Sequence, residues 1–391
     1  MGMKPNLTVL AWAMRRAGKT PEDLKSISPK IEQWIEGTWT PTIKQLEEFA
    51  HATHVSFAAL FSDDIPSVGL QIADFRTTST GAIQSRLSDP SPELFDTIDH
   101  MMLRQDWMRD YFSEEGYAAV SFVGKYEKQS VCAPAPQEMA EAMHTDLSMP
   151  TNWAASCKTY GEALRFFKDK VEAAGVSVVV SGLVKDNTHR KLSVDEFRGF
   201  VLADNLAPLV FINGRDAKSA QIFTLAHEVA HLYFATSGVI SPATDKVEEN
   251  EAEQLCDAIA AEFLVPSSEF IKYWRVICEE RYEAIKSAAN HFKVSFTVCA
   301  RKARDLELIS QKEFFTYYYK HETEVSSLEQ VPKRKVEGGD YYKSKNYRLG
   351  TVFSEAIFSA VQSRRLTYSE AFRLTGFTTA TFDAFFKEGI R

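Results

Sequence analysis

The sequence predicts an α+β protein: an all-α N-terminal domain, a mostly helical central domain with a small antiparallel sheet, and a helical C-terminal extension. Three observations predict it. Apolar residues recur at helical spacing over most of the 391 residues. The β-rich runs are confined to 176–213. Two polar stretches, 64–90 and 325–345, interrupt the periodicity. They divide the chain into residues 1–66, a linker and long connecting helix over 67–135, a central domain over 136–325, and a basic extension over 326–391.

In the first domain, Leu7, Leu10, Ala11 and Met14 share one helix face. Thr20 before Pro21 signals a helix start, with Asp23 as capping partner. Ser28-Pro29 opens a helix carrying Ile31, Trp34 and Ile35, which Gly37 stops. Thr40-Pro41 opens another, with Ile43, Leu46, Phe49 and Ala50 on one side, and Val55 to Phe61 forms a fourth short one. The linker includes an extended piece, IADFRT, at 72–77. Ser91 then caps a long helix from about 92 to 114, and 136–173 is mostly helical. VSVVVSGLV (176–184) is a buried-strand run, while FRGFVLAD (197–204) and PLVFIN (208–213) pair as antiparallel strands. A helix follows from about 217 to 236, and helices return from 247 to about 308 and over the last forty residues.

A hydrophobic share of 45 % is enough for a sizeable core and excludes wholesale disorder. The net charge of −8 argues against a surface that grips nucleic acid throughout. Cys132, Cys157, Cys256, Cys278 and Cys299 are odd in number and lack CxxC spacing, which suits reduced thiols rather than a disulfide framework. The opening residues carry no apolar signal core, and no apolar run is long enough to cross a bilayer. These features lead to the expectation of a cytoplasmic protein.

The segment SAQIFTLAHEVAHLYF contains HExxH. On a helix, positions i and i+4 lie one turn apart on one face. His227 and His231 can therefore offer two imidazole nitrogens to one ion, with Glu228 beside it to take a proton from water. A catalytic zinc ion takes a third protein ligand and keeps one position open. The helix NEAEQLCDAIAAEFLVP brings Glu253 and Asp257 to one face. Glu253 is assigned as third ligand, with Glu249 and Glu251 as rivals, and Asp257 is assigned to orient a ligand histidine from behind. The donor set suits Zn2+ and would also take Mn2+ or Fe2+. Tyr233, Tyr273 and His321 are candidate oxyanion donors, with nothing to select among them and with Tyr233 expected to point elsewhere. PLVFIN is either an edge strand that a peptide could extend or an interior strand.

At these residues the sequence resembles the ImmA/IrrE family of metallopeptidases. The matching runs are PLVFIN, SAQIFTLAHEVAHLYF and EAEQLCDAIAAEFLVP, and KVSFTVCARKARDLELI (293–309) is similar to the family's following segment. Ala230 stands where the family usually has glycine, and Cys256-Asp257 where it usually has an Ala-Asn pair. The resemblance implies a zincin-like metallopeptidase domain, with His227, His231 and Glu253 as metal ligands and Glu228 as catalytic base. Residues 1–77, with KIEQWIEGTWTPTIKQLEEFA and a later DFR, resemble the Xre-type helix-turn-helix domain often fused to this family. Residues 338–391 resemble its usual C-terminal extension. The resemblance further implies cleavage or inactivation of a partner repressor of the Xre type. Longer fused members stand beside small toxin genes, which implies an antitoxin-like transcription regulator as the alternative, with the peptidase fold used mainly as a binding scaffold.

The charges of the first domain bear on DNA. Residues 1–63 hold seven Lys/Arg and seven Asp/Glu, and Glu32 and Glu36 lie on the candidate recognition helix near 28–37. Such a surface repels phosphates, so docking of a repressor or toxin competes with DNA contact as its role. Residues 333–391 hold eleven Lys/Arg against six Asp/Glu, a basic tail.

Overall fold

The computed structural model describes residues 4–66, 90–127, 134–240, 251–277, 280–329 and 341–388. The piece at 72–77, Glu249, Cys132, Cys278 and most of both polar stretches lie outside them. The chain divides into two compact units, 1–100 and 101–391.

The first unit packs α1 (Leu7–Arg16), α2 (Ile31–Ile35) and α3 (Ile43–Thr53) with two 3-10 turns, Glu22–Leu24 and Phe57–Phe61. Leu10, Trp12, Trp34, Phe49 and Leu60 meet in its core. Asn6 caps α1, and Thr42 with Gln45 forms a reciprocal capping box on α3, two residues beyond the expected start. The helix expected over 28–37 is only five residues long. Lys30 N–H donates to Ser28 Oγ (3.2 Å), so Ser28 closes a turn instead of starting a helix. Gly37, at φ 73°, ends it.

Helix α4 (Pro92–Glu115) follows in sequence, with Leu94 N–H donating to Ser91 Oγ. There follow α5 (Pro136–Asp146), α6 (Tyr160–Ala173), β1 (Ser177–Ser181), β2 (Leu183–Val184), β3 (Asn187–Lys191), β4 (Gly199–Leu202) and β5 (Leu209–Asn213). Helix α7 (Lys218–Tyr233) leads to β6 (Gly238–Ile240), and α8 (Glu251–Leu264) comes next. The remaining helices are α9 (Ser267–Val276), α10 (Arg281–Phe292), α11 (Phe296–Asp305), α12 (Gln311–Glu329), α13 (Tyr341–Leu349), α14 (Thr351–Gln362), α15 (Tyr368–Thr375) and α16 (Thr379–Glu388). No described helix is long and apolar enough to cross a membrane.

The main sheet runs β1-β5-β4-β6, with β2-β3 as a separate hairpin. β4 and β5 are antiparallel as expected, with Phe200 opposite Phe211. β1 and β5, however, are parallel, with Val179 beside Phe211, so the sheet is mixed rather than antiparallel. Burial explains this: all five residues of β1 are buried, as in a strand covered on both faces. β5 lies between β1 and β4, so PLVFIN is an interior strand with both edges paired and has no edge for a peptide to extend.

The C-terminal helices lie on β1. Gly350, between α13 and α14, has φ 82°, and a Cβ there would sit 3.1 Å from the Val178 carbonyl oxygen. Thr351 N–H donates to Glu172 Oε1 (2.7 Å), and Glu172 forms a buried pair with Lys168. Asp186, in the β2-β3 turn, binds Lys345 and Arg348.

Candidate metal centre

Helix α7 is buried along nearly its whole length because both flanks are apolar. Ile222, Leu225, Val229 and Leu232 enter the core, against β4, β5, α6 and α8. This packing fixes the backbone that carries His227, Glu228 and His231, all 3 % exposed or less. Cys256, Ile259 and Phe263 bury α8 beside it, and Cys256 is a core residue. Among the described residues the three cysteines are free and buried.

Three groups converge between these helices. His227 Nε2 and His231 Nε2 are 2.9 Å apart. Glu253 Oε2 is 3.2 Å from the first nitrogen and Oε1 is 3.2 Å from the second. Donors held by one tetrahedral ion at about 2.0–2.2 Å lie about 3.3 Å apart, so this triangle has the size of a zinc face. The group can hold a metal ion. Of the rival ligands, Glu249 lies outside the described residues, as does the side chain of Glu251.

Each imidazole is also held from behind. Asp257 Oδ1 lies 2.7 Å from His227 Nδ1, and Thr236 Oγ1 lies 3.0 Å from His231 Nδ1. Both contacts direct Nε2 toward Glu253. Nothing in the sequence pattern had marked Thr236.

The electrostatics follow from burial and pairing. Burial opposes a charge on His227, but hydrogen bonds to Asp257 and Glu253 outweigh it and push its pKa up to about 10. Burial holds His231 below its ordinary value. Burial also works against charge on Glu253, yet the two histidines prevail and bring it down to about 2. Glu228 is fully buried, and burial drives its carboxyl well above the usual range. Neither of its oxygens has a hydrogen-bond partner. An unpartnered buried carboxyl beside a metal-sized triangle fits a site that takes a cation and its water.

Gly199 makes room for that carboxylate. A Cβ there would meet Thr224 Cγ2 at 2.6 Å, the Phe211 carbonyl oxygen at 2.8 Å and Glu228 Oε1 at 3.1 Å. A glycine inside the strand run FRGFVLAD was the available signal for such an approach.

Two of the three oxyanion-donor candidates hydrogen-bond elsewhere. Tyr233 donates to Asp146 Oδ2 (2.9 Å) and stacks on Phe122. Tyr273 donates to the Ser287 carbonyl (3.4 Å) and stacks on His291. His321 stacks on Phe296.

Comparison with known families agrees with this geometry. Residues 171–304 match the peptidase M78 family, described as an IrrE N-terminal-like domain, and the match encloses His227, Glu228, His231, Glu253 and Asp257. This gives the region a metallopeptidase-like domain. Residues 349–388 match a family described as a domain of unknown function (DUF8813). Neither match reaches residues 1–100, and no curated protein matches the chain.

Proposed function

We propose that the protein is a zinc-dependent endopeptidase that cleaves or otherwise inactivates a partner regulatory protein. The observation that carries this reading is the triangle of His227, His231 and Glu253 with the unpartnered Glu228 carboxyl alongside. The ligands are His227 Nε2, His231 Nε2 and the Glu253 carboxylate, and Asp257 fixes His227 by accepting its Nδ1 proton. A divalent ion bound there supplies Lewis acidity that acidifies water and polarises a carbonyl. Glu228 takes the water proton on a carboxylate oxygen and hands it to the leaving amine. The core around α7 keeps that carboxyl out of bulk water, and Gly199 leaves it the space it occupies.

The substrate we favour is an Xre-type repressor or a cognate toxin, delivered by the first unit. Several cations of that unit are already engaged, which favours a protein partner over DNA. Lys30 Nζ sits 3.2 Å over the Trp39 ring, Lys25 pairs with Glu22, and Arg16 donates to the Pro90 carbonyl.

The test uses the whole chain loaded with Zn2+, Mn2+ or Fe2+ and mixed with the regulators encoded by adjacent genes. A new peptide terminus, found by mass spectrometry with the wild type and absent with Glu228→Gln, is the expected result. Failure to bind any of the three ions, or equal products from both proteins, overturns the reading.

A further inference from the structure

Helix α7 ends in a terminator whose residues return to the second histidine. Thr236 N–H donates to the His231 carbonyl (3.2 Å), and Ala235 N–H donates to the Leu232 carbonyl (3.1 Å). Ala235 takes the left-handed conformation, φ 52°. This pair of bonds around a left-handed residue is a Schellman motif. In that motif the residue two past the helix cap lies over the last helical turn, usually in apolar contact. Here those two positions are Thr236 and His231, and the contact is polar.

We propose that Thr236 is the positioning residue of His231, and that the α7 terminator delivers it. This inference rests on the metal-site reading above. Thr236 Oγ1 lies 3.2 Å from the His231 carbonyl oxygen, to which it donates, and 3.0 Å from His231 Nδ1. A hydroxyl carries one proton. With that proton given to the carbonyl, Oγ1 receives Nδ1–H, and the lone pair of the imidazole resides on Nε2, where His227 Nε2–H, 2.9 Å away, can donate to it in the metal-free protein. The backbone that ends the helix thereby selects the ligand tautomer. Ser237 secures the turn, because Ala203 N–H at the end of β4 donates to its Oγ (2.7 Å). The two histidines thus have different supports: a carboxylate from α8 for His227, and a neutral hydroxyl from its own helix end for His231. A hydroxyl orients the ring without adding charge to a site that already holds Glu228, Glu253 and Asp257.

The test compares full-length wild type, Thr236→Val and Thr236→Ser. Zinc affinity is read by competition with a chromogenic chelator. The His231 tautomer is read by long-range 1H–15N NMR on the metal-free protein, whose thermal melting is also recorded. Wild type and Thr236→Ser should carry the His231 proton on Nδ1. Thr236→Val should populate the Nε2–H form and lose about 10–100-fold in zinc affinity with an unchanged metal-free melting temperature. The inference is overturned if Thr236→Val keeps the wild-type tautomer and affinity, or if Thr236→Ser falls as far as Thr236→Val. A wild type that does not bind zinc overturns the metal-site reading itself, a result distinct from either.

Discussion

The carboxylate of Glu228 and the backbone of Gly199 sit so close that a methyl group on the glycine would lie 3.1 Å from Oε1. The same methyl would press on Thr224 and on the Phe211 carbonyl, so β4 cannot accept it without moving. Gly199→Ala should lower kcat sharply while zinc content stays at the wild-type level. Overpacking of this kind costs about 1–3 kcal/mol of stability. Metal analysis, steady-state kinetics and thermal melting on one preparation separate the effects; full activity would show that β4 relaxes freely.

Glu228→Gln should abolish most hydrolysis, by about 10²–10⁴-fold if general-base transfer is the main loss, and retain the ion. It should also stabilise the metal-free protein at neutral pH. The folded carboxyl titrates well above its unfolded value because it is buried. Its contribution is therefore complete below the unfolded pKa of about 4.3 and is lost as pH rises toward the folded value. An amide has no such loss. Melting curves from pH 4 to pH 8 should diverge in favour of the variant as pH rises; parallel curves would contradict this.

Zinc uptake at pH 7.5 should release protons. In the metal-free protein His227 titrates at about 10, so it is charged at that pH, yet it can ligate only when neutral. Affinity should consequently climb with pH until His227 deprotonates unaided. The sign for folding is the opposite: His227 stabilises the metal-free protein fully below about 6.5 and loses that contribution as pH rises through its folded value. Calorimetry in buffers of different ionisation enthalpy measures the release, and Asp257→Asn should reduce it together with zinc affinity.

Asp186→Asn should loosen the C-terminal helices. It keeps a residue tolerant of φ 63° in the β2-β3 turn but removes the countercharge of Lys345, whose side chain is 4 % exposed. Asp186 is itself partly exposed, so the cost should be about 2 kcal/mol, below that of breaking a fully buried pair. Limited proteolysis should cut first among residues 341–388; an unchanged digest would exclude this anchoring role.

The group that can hold a metal was legible because it is local. His227, Glu228 and His231 occupy fixed offsets on one helix, and Glu253 and Asp257 are one turn apart on another. Helical periodicity converts such offsets into shared faces without knowledge of the rest of the fold. The direction of β1 was not legible, since an apolar run reports burial and says nothing about which strand lies beside it or which way that strand runs. The length of α2 was missed because Ser28 satisfies a turn as well as a helix start. Thr236 was hidden for a third reason. Its terminator uses Ala235 where glycine usually advertises a left-handed residue.

The seating of Gly350 and Thr351 on β1 and Glu172 sets the smallest piece of this chain that can stand alone. A fragment cut to the family-matched region, 171–304, would shed the helices lying on β1 and strip the cover from that sheet. Such a fragment should aggregate, whereas a truncation that keeps residues through 388 preserves the lining. Expression boundaries for this protein therefore reach well past its metal-sized group of His227, His231 and Glu253.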